Sequence, residues 1–283
     1  MDYVIAMFEY RPYVVALVVA FWVIAGAERG FRRAGIWFVT GTLIGWLVEF
    51  SSTRNGFPFG DYVYHEALFP EELWIGGVPL FASLSFACLT YLGYSIAYTL
   101  LSGMRFGERG LERIENREVA ISVPVLLLAT AIITWMDLVL DPVTHLGEYW
   151  GLGSLYHYDP PGIHFDVPLS NYGGWLFTSF AIVAVNQQIE RFTIRSSEEM
   201  RGAYRLPFQP LLCLMADFGQ YLFMIGVLFY LMGSDHVPSD TPLVGILIST
   251  LLIAAGYVVG VGTLLKRALP SPSSGPEAGE VMS

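Results

Sequence analysis

The sequence predicts an all-α integral membrane protein, a bundle of about seven transmembrane helices with long aromatic and glycine-rich loops on the extracytoplasmic side. Three observations carry this. Seven apolar stretches, at 12–27, 34–52, 78–101, 119–141, 169–188, 207–233 and 242–265, approach the ~20 residues a helix needs to cross a bilayer. Thirteen of the fifteen basic residues fall in alternate gaps between those stretches. Hydrophobic residues make up 54 % of the chain and charged residues 14 %, with a mean hydropathy of +0.53, whereas a soluble domain carries about 25 % charge.

The elements follow in order. Acidic Asp2 and Glu9 precede the first stretch, and Arg29, Arg32 and Arg33 follow it, which suits an N-terminus outside the cell rather than a cleaved leader. The second stretch ends with Trp46-Leu-Val-Glu49 and opens into a loop, 53–77, whose one basic residue is Arg54. After the third come Arg105, Arg109, Arg113 and Arg117. The first three are four residues apart with Glu108 and Glu112 between them, a spacing that predicts a short solvated helix over 102–118. The fourth carries Asp137 and Asp141 one turn apart and leads into the loop 142–168. Arg191, Arg195, Arg201 and Arg205 follow the fifth. The sixth holds Asp217, with Gln220 three residues on, and Lys266 and Arg267 close the seventh. The positive-inside rule then places the chain in the cell membrane with its C-terminus cytoplasmic. Residues 1–268 read as one transmembrane domain and 269–283, rich in Pro, Ser and Gly, as a disordered tail.

Several function classes are excluded. A net charge of −10 argues against nucleic acid. Cys88 and Cys213 lie inside apolar stretches, as buried side chains rather than a disulfide or metal pair. A retinal-binding rhodopsin needs a lysine in the middle of its seventh helix, and the one lysine here, Lys266, is at that helix's end. The five histidines (His65, His145, His157, His164, His236) all lie on the external side, but without the close pairing of a di-iron site.

The chemistry points to the same side. Carboxyls inside membrane helices are costly and mark function. Glu49, Asp137 and Asp141 share one level near the outer surface. A carboxyl in apolar surroundings stays protonated more easily and can act as a general acid. Aromatic faces stabilise cations. The loops 53–77 and 142–168 are dense in aromatic residues, which predicts short strands or re-entrant coil over the bundle mouth. Acid plus aromatics, without a nucleophile or cofactor motif, suits protonation of an alkene.

Two composite motifs carry a resemblance. Trp46-x-x-Glu49 followed by Gly56-Phe57-Pro58-Phe59-Gly60-Asp61-Tyr62-Val63-Tyr64 is one; Asp141-Pro142, Trp150 and Val167-Pro168-Leu169-Ser170-Asn171-Tyr172-Gly173-Gly174-Trp175 is the other. From about residue 40 to 190 the chain resembles the carotenoid 1,2-hydratases of the CruF type, the family that includes bisanhydrobacterioruberin hydratases. One departure is Asp166, where the family would be expected to have a small residue, often glycine. The resemblance implies addition of water to a terminal isoprenoid double bond of an acyclic carotenoid, bisanhydrobacterioruberin or a lycopene-type end, with no metal or organic cofactor. For that reaction the residues themselves suggest Asp141 or Asp137 as proton donor, Glu49 as water-orienting base and Asn171 as a hydrogen-bonding partner of that water. Trp46, Tyr62, Tyr64, Trp150, Tyr172 and Trp175 would line the pocket, although Trp and Tyr also concentrate at headgroup level as interface anchors. The partners implied are the carotenoid, membrane lipids and other enzymes of carotenoid biosynthesis. The alternatives are a carotenoid-binding or transport protein without catalysis, and a membrane prenyltransferase-like enzyme; against the latter, Asp137-x-x-x-Asp141 is a single motif on a face almost empty of Arg and Lys.

Overall fold

The computed structural model describes residues 9–107, 110–200, 202 and 204–270. Seven long helices follow one another: α1 (Pro12–Arg29), α2 (Phe31–Asn55), α3 (Leu80–Ser102), α4 (Val123–Thr144), α5 (Leu169–Thr193), α6 (Gln209–Met232) and α7 (Leu243–Ala268). Six are long and apolar enough to cross a membrane. The 25-residue α5 is less apolar because Asn171, Thr178, Ser179, Asn186, Gln187 and Glu190 are all turned into the bundle. On the flanks, Val19, Leu43, Leu127, Leu222 and Val259 are each more than half exposed. A water-facing helix would carry polar residues there. The chain is an all-α, multi-pass membrane protein.

Local chemistry sets the helix limits. α4 starts at Val123 rather than at 119 because Ser122 Oγ accepts from Val125 N–H at 3.4 Å and Pro124 fits the first turn. Residues Arg117–Ala120 form a separate turn capped by Asn116. α3 is the central helix, buried along most of its length and in contact with all six others. Small residues let it approach its neighbours. A Cβ on Gly41 of α2 would come within 2.7 Å of Ala87 Cα, and one on Gly93 of α3 within 2.4 Å of the Ile133 side chain on α4.

The connection after α3 differs from the helix its charge spacing predicts. Met104–Gly107 (β4) and Gly110–Arg113 (β5) pair as an antiparallel hairpin with Arg105 opposite Glu112. The cause is twofold. Gly103 (φ 79°) and Gly110 (φ 95°) take left-handed conformations that interrupt a helix. Arg113 also turns inward, 3.4 Å from Glu28, instead of facing solvent. Glu108 and Arg109 lie outside the described residues, as do 271–283 of the expected tail.

That hairpin completes a buried ionic network. Arg29 at the end of α1 lies 2.8 Å from Glu190 of α5 and 3.0 Å from Tyr94 OH. Glu28 Oε2 accepts from Tyr91 at 2.8 Å and from Ser95 at 2.7 Å. Both acids sit at helix ends beside arginines, where their burial is not legible from sequence. The network ties down the end of the bundle opposite Glu49.

Candidate functional site

Three helix termini meet at the other end. α2 brings Glu49, α4 brings Asp137 and Asp141, and α5 brings Asn171. One turn of α4 separates the aspartates, and Asn171 joins them: its Nδ2 donates to Asp137 Oδ2 at 3.0 Å and to Asp141 Oδ2 at 2.5 Å. Asp137 is buried behind this amide, while Asp141 and Glu49 face a cavity of about 430 Å³.

The two long loops cover the carboxylates with strands. Tyr62–Tyr64 (β1) pairs antiparallel with Tyr156–Tyr158 (β6), placing Tyr62 opposite Tyr158 and Tyr64 opposite Tyr156. Side chains alternate across a strand, so all four tyrosines share the inner face while Val63 and His157 are exposed. Tyr62 and Tyr64 donate to Glu49 Oε2, the latter at 2.6 Å. Tyr158 donates to Asp141 Oδ2 at 3.3 Å and Tyr156 to Oδ1 at 3.4 Å. Burial first, and the neighbouring carboxylates second, push all four phenols well above their ordinary value, so they remain protonated donors. A shorter pair, Trp74–Ile75 (β2) with Val78–Pro79 (β3), leads into α3.

The two sequence motifs pack against each other. Phe59 N–H donates to Ser52 Oγ, and Ser170 Oγ donates to Phe59 carbonyl oxygen at 3.1 Å. A Cβ on Gly174 would meet the Phe59 ring at 2.3 Å, so glycine there lets α5 close on the Phe57-Pro58-Phe59 turn. Phe59 then packs at an angle against Phe86 and Trp175, which stack on each other along the cavity wall. Arg11 clamps both loops, with Nε 2.6 Å from Glu72 and Nη1 2.8 Å from Leu152 carbonyl oxygen.

Of the residues expected in the site, the fold brings Glu49, Asp141, Asn171, Tyr62, Tyr64, Trp150 and Trp175 to the cavity wall. Asp137 touches it through Asn171. Tyr172 is turned to His164 Nδ1, 2.5 Å away. Trp46 lies elsewhere: its indole N–H donates to Ile75 carbonyl oxygen at 2.9 Å and its ring packs on Phe50. Asp217 is buried between α6 and α7 beside Tyr257. Tyr156 and Tyr158 were not among the expected site residues. Their signal in the sequence is the Tyr-x-Tyr alternation, which repeats that of 62–64. Asp166 has φ 67°, a left-handed conformation that glycine adopts without strain, which is a physical reason for the glycine expected there.

His65, His157, His164 and His236 serve hydrogen bonds, while the His145 ring packs on those of Tyr156 and Tyr158. His65 Nε2 lies 2.6 Å from His157 Nδ1, and His236 Nε2 lies 3.2 Å from Tyr149 carbonyl oxygen. Among the described residues no three His, Cys, Asp or Glu side chains converge as metal ligands. On the outer side of Tyr156 lies a second cavity, polar and about 510 Å³, lined by His145, His157, Glu148 and Asp166. Tyr156 lines both cavities.

A family model described as "Carotenoid biosynthesis protein" matches residues 10–255. The chain is similar to the bisanhydrobacterioruberin hydratase of Haloarcula japonica, with 31 % identity over 166 residues, which is 58 % of this chain and 48 % of that protein. The chain thus spans about half the length of this curated relative. No solved structure matches. The match over most of the chain leads to one assignment: the chain belongs to the carotenoid biosynthesis protein family.

Proposed function

We propose that the protein hydrates the terminal isoprenoid double bond of an acyclic carotenoid, converting bisanhydrobacterioruberin to bacterioruberin or acting on lycopene-type ends. The observation that carries this reading is the union, in one aromatic cavity, of two differently supported carboxyls. Both Glu49 and Asp141 accept two tyrosine hydroxyls, but those on Glu49 are the closer, 2.6 Å for Tyr64 against 3.3 and 3.4 Å on Asp141, which suits a carboxylate at Glu49. Asp141 and Asp137 share one amide, and such a pair holds a proton between them.

The steps balance without further reactants. Asp141 delivers its proton to the less substituted alkene carbon, and the tertiary carbon becomes a cation facing the rings of Trp150 and Trp175. Water attacks that carbon, a C–O bond forms, and Glu49 takes the proton released. Return of that proton to Asp141 resets the site, the net change being addition of one water. Water arrives from the polar cavity past Tyr156, whose hydroxyl sits 3.2 Å from Thr144 Oγ1. In this reading residues 1–268 form one transmembrane domain in the cell membrane, the tyrosine-covered end faces outward and the C-terminus lies in the cytoplasm. The carotenoid, membrane lipids and other enzymes of carotenoid biosynthesis are its partners.

The test is mass spectrometry of pigments from cells making lycopene or bisanhydrobacterioruberin, with and without this protein. A product heavier by one water, absent with Asp141→Asn or Glu49→Gln, is expected. No mass change with folded, inserted protein would overturn the reading in favour of carotenoid binding or transport.

A further inference from the structure

The cavity is not closed by the bundle. Below the carboxylates it runs between α1 and α6, walled by Tyr13, Ala16 and Ala20 on one side and by Ala216, Gln220 and Phe223 on the other. Ala16, Ala216 and Phe223 are also exposed on the flank of the bundle. The slot therefore opens sideways, among the apolar residues that face lipid, rather than only at the bundle mouth. α1 packs mainly on α2 and α3 and more sparsely on α6, which leaves this seam loose. Tyr13 to Ala20 and Phe223 to Ala216 each descend seven residues from the tyrosine-covered end, about 10 Å at 1.5 Å per residue.

Size decides what such a slot can hold. A cavity of about 430 Å³ lies in the lower part of the ~300–1,000 Å³ range of pockets that bury drug-sized ligands. A polyene of forty or fifty carbons cannot fit inside it; its end group can. The rest of the chain must leave through an apolar opening, because exposing it to water costs ~25 cal/mol per Å². The α1–α6 seam is such an opening, and the side chains along it at 16, 20 and 216 are alanines.

We propose that the seam between α1 and α6 is the portal through which the end of a linear polyene slides in from the bilayer, with the remainder of the chain left in lipid. Ala16, Ala20 and Ala216 set access by being small, and the site reads the end group rather than the chain length. This rests on the hydratase reading above. End-on insertion also lets a chain with two identical ends be processed at one end, withdrawn and reinserted at the other.

Ala16→Phe and Ala216→Phe place a ring in the seam from lipid-facing positions, and Val19→Phe, on the lipid-facing side of α1 away from the seam, is the control. The readouts are kcat/KM for lycopene hydration in nanodiscs, and the amount of lycopene that co-purifies with each variant of unchanged melting temperature. The expected result is at least a tenfold fall in both for the two seam variants and no change for Val19→Phe. Wild-type hydration and retention in the seam variants overturns the portal. A wild-type protein that retains lycopene or bisanhydrobacterioruberin but hydrates neither overturns the hydratase reading, and retention by the seam variants still decides the portal. A wild-type protein that does neither overturns both.

Discussion

Tyr62 and Tyr158 stand opposite each other in a two-stranded sheet, yet their hydroxyls serve different carboxylates, Glu49 and Asp141. The sheet thus couples an acid carried by α2 to an acid carried by α4, and its pairing fixes where both point.

Removing one hydroxyl at a time tests that coupling. Tyr158→Phe and Tyr62→Phe are expected to slow hydration about tenfold each, ~1.4 kcal/mol of lost transition-state stabilisation. Carotenoid retention should be unchanged. Turnover equal to wild type in both variants would show that the sheet is only a cover.

Asn171 holds two carboxyls with one amide. Asn171→Ala is expected to lower turnover at least a hundredfold and also to lower the melting temperature, because a buried carboxyl that loses its donor costs ~1–3 kcal/mol. Asn171→Asp, which adds a third carboxyl, should be worse on both counts. A single-turnover assay beside a thermal melt separates the two effects.

The far-end network gives a stability prediction. Arg29→Met leaves Glu190 buried without its partner, and the expected cost is about 3–5 kcal/mol. Arg29→Met with Glu190→Leu should recover most of it, since a buried pair can be replaced by packed apolar groups. Unfolding in detergent would measure both, and a double variant no better than the single one would refute the account.

Acid should weaken the fold at the loops. Burial holds the imidazoles of His145 and His164 below their usual value. Each therefore binds a proton more readily when unfolded, so its contribution to stability is complete above about pH 6.5 and is lost as the pH falls below that. The melting temperature is expected to drop between pH 7 and pH 5, and less so in a His145→Gln, His164→Gln variant.

Asp166 offers a gain. Its left-handed φ of 67° strains a side chain, so Asp166→Gly is expected to raise stability by up to about 1 kcal/mol with turnover retained. A melt showing a clear loss would mean that the Asp166 side chain contributes more than its backbone costs.

The seven helices were legible because the bilayer imposes a length and the arginines mark alternate ends. Glu49, Asp137 and Asp141 were legible because a carboxyl amid apolar residues stands out by composition. What stayed hidden depends on pairing between distant segments. Nothing local to 62–64 or 156–158 says that they are partners, so Tyr156 and Tyr158 went unnoticed. Trp46 shares the motif of Glu49, but the Ile75 carbonyl oxygen, just before the Gly76–Gly77 bend of a distant loop, takes its indole N–H. The Arg-rich segment misled for the same reason: Arg113 found a buried acid 85 residues upstream, and a hairpin delivers it there where a solvated helix would not.

The clamp made by Arg11 and the amide of Asn171 has a consequence for biogenesis. Chains emerge and fold from their N-terminus. Arg11 must wait for Leu152, and the aspartate pair must wait for Asn171, so the hydrogen bonds of the carboxyl cluster are complete only after α5 has been made. Until then the nascent protein carries the acids of α2 and α4, and the strands that cover them, without the amide that joins the two aspartates. The carboxyl cluster is complete once α5 has been made, and the cavity around it only once α6 has supplied Ala216, Gln220 and Phe223.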